Sequence, residues 1–171
     1  MEQIVSGRVY YCGDYVNTDL MAPGRFEPIE SDEQLARIAL IDYEGQRPFV
    51  NELTGKSDYT VIVAGREFGC GSSRETAPQA LSLAGAKIVL AKSFGGIFFR
   101  NCINMGALLP VQVDHDWDES VQDRHIEIDL QKRTATLEGE TLTFDDFGPL
   151  VDIIEAGGLI PYSQQYVEGA R

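Results

Sequence analysis

The stretch that most narrows the choice of fold runs from Tyr59 to Ala91. Tyr59-Thr60-Val61-Ile62-Val63-Ala64 is β-branched and apolar and stops at Gly65, the pattern of a buried strand that opens into a glycine-rich loop. That loop reads Gly65-Arg66-Glu67-Phe68-Gly69-Cys70-Gly71-Ser72-Ser73-Arg74-Glu75. Behind it Ala77, Ala80, Leu81 and Ala84 recur at helical spacing, Gly85 offers a stop, and Lys87-Ile88-Val89-Leu90-Ala91 reads as the next buried strand. The unit is β-loop-α-β, and the expected fold class is α/β.

The flanking sequence extends this organisation. Alternation in Gly7-Arg8-Val9-Tyr10-Tyr11-Cys12-Gly13 predicts a first strand, with turn chemistry following at Asn17-Thr18-Asp19 and Pro23-Gly24. Ser31-Asp32-Glu33-Gln34 has the form of a capping box, and Leu35, Ile38 and Ala39 continue it as a short amphipathic helix ending before Gly45. A second helix is expected from Phe94 to Met105, capped by Ser93, before Leu108-Leu109-Pro110-Val111 re-extends the chain. His125 to Leu130 alternates with period two and Thr134 to Leu137 follows a basic turn, which predicts a hairpin. Gly148 to Ala156 reads as a helix stopped by Gly157-Gly158, and a final amphipathic stretch ends near Val167. No repeat, low-complexity tract or linker interrupts the chain, so residues 1–171 are expected to form one domain.

Charge and cysteine usage limit the partners. With 27 acidic and 14 basic residues the chain carries a formal charge of -13, which repels phosphate backbones and anionic lipid, so neither nucleic acid nor a membrane surface is an expected partner. A small anion in a cleft with local arginines remains compatible with that average. Cys12, Cys70 and Cys102 show neither a disulfide framework nor a zinc-ribbon spacing, which fits a reducing, cytoplasmic setting. Met1-Glu2-Gln3 lacks a basic region before an apolar stretch, and runs such as Ile88 to Ala91 are too short to span a bilayer, so a soluble, unprocessed protein is expected.

A glycine-rich loop delivered onto a helix start binds anions, because free N–H groups and the helix dipole both favour negative charge. A phosphate-binding P-loop would need Lys-Ser/Thr after its last glycine, whereas Gly71 is followed by Ser72-Ser73-Arg74. A dinucleotide fingerprint would need a third glycine where Arg74 stands. What remains is two hydroxyls and a fork-shaped guanidinium, a set suited to a carboxylate. The competing reading is structural: Ser72 to Glu75 is also a capping box, in which Ser72 caps the helix and Glu75 reaches back.

The longer strings carry a resemblance. Gly69-Cys70-Gly71-Ser72-Ser73-Arg74-Glu75, Ala91-Lys92-Ser93-Phe94 and Ile97-Phe98-Phe99-Arg100-Asn101-Cys102-Ile103-Asn104-Met105-Gly106 closely resemble the small subunits of 3-isopropylmalate dehydratase and homoaconitase. Asn17-Thr18-Asp19 and Glu155-Ala156-Gly157-Gly158-Leu159 extend the match in the same order over most of the chain. The resemblance implies a three-layer β/β/α swivelling domain of the aconitase type that docks on a separate large subunit holding a [4Fe-4S] cluster, with a small dicarboxylate substrate between them. It implies that Ser72 is the general base, that Arg74 with Ser73 binds the substrate carboxylate, and that Asp19 organises the polar network on the active-site face. It also implies that the loop carrying Arg25 and Phe26 lies over the substrate's variable group. Arg25 would suit a second carboxylate and Phe26 an alkyl group, so the pair leaves the substrate open.

In that reading the reaction is the isomerisation of 2-isopropylmalate to 3-isopropylmalate by dehydration and rehydration, in leucine biosynthesis, and the chain is active only with its large subunit. Homoaconitase or another alkylmalate hydratase is the close alternative. A non-catalytic anion-binding module of the same fold is the distant one. No metal ligand is expected in this chain: the three cysteines lack cluster spacing and read as packing residues, and His115 and His125 flank an acidic segment, Asp114 to Glu119, that reads as a solvated turn. Two departures from the family pattern stand out. Gly95-Gly96 replaces the usual Ala-Arg, and Thr76 replaces a histidine or tyrosine.

Overall fold

A computed structural model describes residues 3–169. Met1 and Glu2, which enter the reading of the N-terminus, lie outside it.

Strands β1 (Ile4–Tyr11), β2 (Tyr59–Ala64), β3 (Ile88–Ala91) and β4 (Leu109–Gln112) pair in parallel. Strands β5 (His125–Asp129), β6 (Thr134–Leu137) and β7 (Glu140–Thr143) continue the same sheet antiparallel, in the order β4-β3-β2-β1-β5-β6-β7. Helix α3 (Thr76–Ala84) joins β2 to β3 and α4 (Gly96–Asn104) joins β3 to β4, while two short helices, α1 (Thr18–Met21) and α2 (Asp32–Arg37), lie between β1 and β2. Helices α5 (Leu150–Glu155) and α6 (Leu159–Gly169) close the described chain.

Strand alternation separates two cores. Ile62 and Val89 face a core completed by Ala80, Leu81 and Phe98 from α3 and α4. Val61, Val63, Ile88, Leu90, Leu109 and Val111 face the other, which also holds Ile126 and Ile128 of β5 and Ala135 of β6. Because β4 and β6 lie near opposite ends of the strand order yet share that core, the sheet curls until its antiparallel half covers the back of its parallel half. The layers are therefore helix, parallel strand and antiparallel strand, the β/β/α arrangement of an α/β protein.

The central unit forms where it is expected, with Gly85 (φ 134) ending α3. The hairpin from His125 is present, and β7 adds a strand that the sequence analysis does not anticipate, since Leu142 is the only large apolar residue in it. Ser31 caps α2 by accepting the Gln34 N–H at 3.1 Å. Ser93 does not cap α4. Its hydroxyl accepts the Glu67 N–H and donates to Glu67 Oε1, both at 2.9 Å, and its carbonyl accepts from Phe68, so Ser93 and Phe94 stay extended against the glycine-rich loop and the helix starts at Gly96.

Candidate active site

At the C-terminal end of the parallel strands two loops lie side by side. Gly69 N–H donates to the Val16 carbonyl at 2.8 Å and Thr18 N–H to the Cys70 carbonyl at 2.9 Å, so the segment after β1 is zipped to the glycine-rich loop after β2. The contact needs glycine at position 71, which has φ 97 and where a Cβ would stand 2.4 Å from Asn17 Oδ1. Tyr15 (φ 56) and Glu67 (φ 53), both non-glycine, also take left-handed backbone beside this seam. Such conformations cost about 1–3 kcal/mol each and gather at functional sites.

The seam sets Ser72. Thr18, only 1% exposed, donates its hydroxyl to the Ser72 carbonyl at 2.9 Å, and the Arg74 N–H donates to the same oxygen at 2.9 Å. The Ser72 hydroxyl is exposed and makes no hydrogen bond among the described residues. This corrects the capping-box reading: α3 begins at Thr76 after Glu75, with no side-chain cap, so neither Ser72 nor Glu75 is used in ending the helix. It also moves Ser72 ahead of the first helical turn, where the dipole is weak. Ser73 is exposed beside it.

Arg74 is the charged centre of the site. Its Nε donates to Asp19 Oδ1 at 2.6 Å and its Nη1 to Glu27 Oε1 at 3.2 Å. Asn17 places Asp19 by capping α1, accepting the Asp19 N–H at 2.9 Å. Gly24 lies against the guanidinium, 2.9 Å from Nη2 at the position a Cβ would take, so the loop from Asp19 to Glu27 folds over the arginine. Arg74 and Asp19 therefore pair directly, with Ser72 two residues before Arg74 on the same loop.

Arg25 does not join them. It forms a two-point pair with Asp42, holding the Asp42 carboxyl below the usual carboxylate range, and its guanidinium lies 4.5 Å from the centre of the Phe26 ring. Phe26 in turn packs against the helix-side core. Thr18 and Glu27 are site residues that the sequence analysis does not single out. Thr18 could have been found from its place between Asn17 and Asp19, whereas one more acid in so acidic a chain carries no signal.

The residues of this chain do not fit an iron-sulfur cluster of their own. Cys12 and Cys102 are fully buried, and burial pushes both thiols up, away from the thiolate form a cluster needs. Among the described residues no group of three His, Cys, Asp or Glu side chains is placed to hold a metal ion. His115 instead packs edge-on to Trp117, and Asp118 caps the 3-10 turn Glu119–Val121. No helix among the described residues is long and apolar enough to cross a membrane.

Comparison with known proteins gives this geometry a context. The family model of the aconitase C-terminal domain matches residues 43–116. The methanogen homoaconitase small subunit of Methanothermobacter thermautotrophicus is 42% identical over 163 residues, covering 94% of this chain and 91% of its own length. The 3-isopropylmalate dehydratase small subunit 1 of Methanopyrus kandleri is 39% identical over 177 residues, covering 100% and 98%. A crystal structure of 3-isopropylmalate dehydratase (leuD) from Methanocaldococcus jannaschii superimposes with a TM-score of 0.81 at 33% identity, covering 98% of each chain. The curled β/β/α sheet and the full-length identities place the chain in one family: it belongs to the dehydratase small subunits of the aconitase type, those of 3-isopropylmalate dehydratase and homoaconitase.

Proposed function

We propose that this chain is the small subunit of a cytoplasmic, two-subunit hydro-lyase that isomerises 2-isopropylmalate to 3-isopropylmalate, a step of leucine biosynthesis, with residues 1–171 acting as one swivelling domain. The observation that carries the reading is the clamped seam, which holds Ser72 beside an arginine already bound by carboxylates. Relatives named as 3-isopropylmalate dehydratase small subunits, 35–39% identical over nearly the whole chain, support the substrate.

In this reading Arg74 exchanges its internal carboxylate partners for one carboxylate of the substrate, and Ser73 lines the same edge. Ser72 Oγ accepts the proton from the carbon next to that carboxylate, and the Thr18 and Arg74 donors to its carbonyl fix where Oγ stands. Serine is neutral near pH 7 and a helix terminus supplies only about 0.3–1 kcal/mol to a nearby charge, less still before the first turn. The alkoxide therefore depends on the Arg74 charge and on exclusion of water when a large subunit closes over the loop. When bound to that subunit, a [4Fe-4S] cluster would supply Lewis-acid chemistry toward the substrate hydroxyl. Asp19 keeps Arg74 oriented.

Homoaconitase is the second reading, favoured by the 42% identical relative. Ser72→Ala in the reconstituted two-chain enzyme should abolish turnover of 2-isopropylmalate without preventing assembly. Retained turnover would remove Ser72 from the base role.

A further inference from the structure

We infer that Ser93 is a positioning residue for proton transfer: its hydroxyl locks the left-handed backbone of Glu67 and thereby sets the course of the loop that presents Ser72. The inference rests on the proposed function and deepens it. The glycine-rich loop, residues 65–75, is held from two sides. Toward β1 it bonds Val16 and Thr18. Toward β3 its backbone pairs with residues 93–95, Phe68 N–H donating to the Ser93 carbonyl at 3.0 Å and Gly95 N–H to the Phe68 carbonyl at 2.9 Å. Among the described residues, Ser93 is the one side chain on the β3 side that hydrogen-bonds the loop.

Both of its bonds go to one residue. Ser93 Oγ accepts the Glu67 N–H and donates to Glu67 Oε1, both at 2.9 Å, so the hydroxyl ties the backbone of Glu67 to its own side chain. Glu67 needs the tie, because its φ of 53 crowds Cβ against the following carbonyl oxygen, a conformation that glycine and, to a lesser degree, asparagine and aspartate adopt readily. The Glu67 carbonyl accepts the Cys70 N–H at 3.1 Å and so closes the turn that leads into Gly71 and Ser72. A rotation at Glu67 withdraws that carbonyl from Cys70. Gly69 and Gly71, at φ 79 and 97, have no Cβ with which to resist the shift that then reaches Ser72. Phe68, fully buried against Phe94 and Phe98, keeps the loop attached to the core, so loss of the Ser93 hydroxyl displaces the loop rather than unfolding it.

The test compares reconstituted two-chain enzymes turning over 3-isopropylmalate. Ser93→Ala should lower kcat by about tenfold or more, with KM changed by less than about threefold. With substrate deuterated at the carbon that loses its proton, the isotope effect on kcat should rise, because proton transfer becomes the slowest step; a general loss of folded enzyme would leave it unchanged. Adding Glu67→Asn to Ser93→Ala should restore kcat by about threefold or more, since asparagine takes the left-handed backbone without the tie. Glu67→Ile, which keeps Ser93 but opposes that backbone, should lower kcat by about tenfold or more, and it reads the same claim if Ser93→Ala does not fold. Unchanged kcat in Ser93→Ala or in Glu67→Ile, an isotope effect that stays at the wild-type value, or a double variant no faster than Ser93→Ala would overturn the inference and leave the hydro-lyase reading intact. A wild-type complex without turnover would overturn that reading and the inference with it.

Discussion

Alanine at Gly95 and alanine at Gly96 should move the stability of this chain in opposite directions. Both residues open α4, yet their surroundings differ. A Cβ at Gly95 would stand 2.4 Å from the Gly69 carbonyl oxygen, 2.8 Å from its carbon and 3.0 Å from the Cys70 nitrogen. All three are backbone atoms of the glycine-rich loop, which is itself pinned by the Gly95 N–H to Phe68 and by Gly69 to Val16, so none can swing aside. The Gly95 backbone, at φ -59, would accept alanine; only the contact forbids it. Overpacking of this kind costs about 1–3 kcal/mol. At Gly96 nothing lies within 4 Å of the added Cβ, and alanine gains up to about 1 kcal/mol of helix propensity.

For a chain of this size 1 kcal/mol moves Tm by about 2–4 °C. Gly95→Ala should therefore lower Tm by about 2–12 °C, and Gly96→Ala should raise it by about 1–4 °C. Differential scanning calorimetry of the isolated chain reads both. Because Gly69 and Cys70 lead directly into Ser72, Gly95→Ala should also lower kcat of the reconstituted enzyme, by about 100-fold if the loop shifts by about 1 Å. A Gly95→Ala protein as stable as wild type, or a Gly96→Ala protein that loses as much as Gly95→Ala, would refute the packing argument.

Thr18→Val should lower kcat about 10–100-fold with little change in KM, because the Ser72 carbonyl loses its buried donor and the hydroxyl its fixed position. Its Tm should fall by only about 2–4 °C, and Thr18→Ser should restore both; kcat unchanged in Thr18→Val would remove Thr18 from the positioning role. Ser31→Ala should cost about 1 kcal/mol of stability through the lost cap of α2. It should leave kcat unchanged, which steady-state kinetics and thermal melts together check. The Tyr59 hydroxyl and the Arg47 and Arg8 charges hold the Asp123 carboxyl below its ordinary range. A lowered folded-state pKa stabilises above the unfolded value near 3.9 and is lost as pH falls below it. Melts between about pH 3 and pH 7 should accordingly show a shallower acid decline in Asp123→Asn than in wild type; equal slopes would contradict the assignment.

How much of this was legible in the sequence follows from which interactions are local. β2, α3 and β3 could be read because a buried parallel strand is apolar throughout and Gly85 marks the helix end. The hairpin at Arg133 was legible from period-two alternation, whereas β7 pairs along its edge with almost no apolar side chain to announce it. Ser93 reads as a cap, and Ser72 as a competing one, because a serine before a helix pattern has the same local signature whether it bonds the helix or a distant loop. Ser93 is spent on Glu67, and Ser72 is held through its carbonyl by Thr18, a partner 54 residues away in sequence. In the same way, nothing local distinguishes Arg25, paired with Asp42, from Arg74, paired with Asp19 and Glu27.

The central claim, that Ser72 of this chain moves the substrate proton only inside the closed complex, is tested most directly by hydrogen exchange. The reconstituted enzyme is incubated with 3-isopropylmalate in deuterated water and the substrate C–H signals are followed by NMR. Wild-type complex should exchange deuterium into the carbon next to the carboxylate, while the isolated chain and the Ser72→Ala complex should leave that signal intact. Exchange that persists in Ser72→Ala, or that the isolated chain catalyses, would contradict the account.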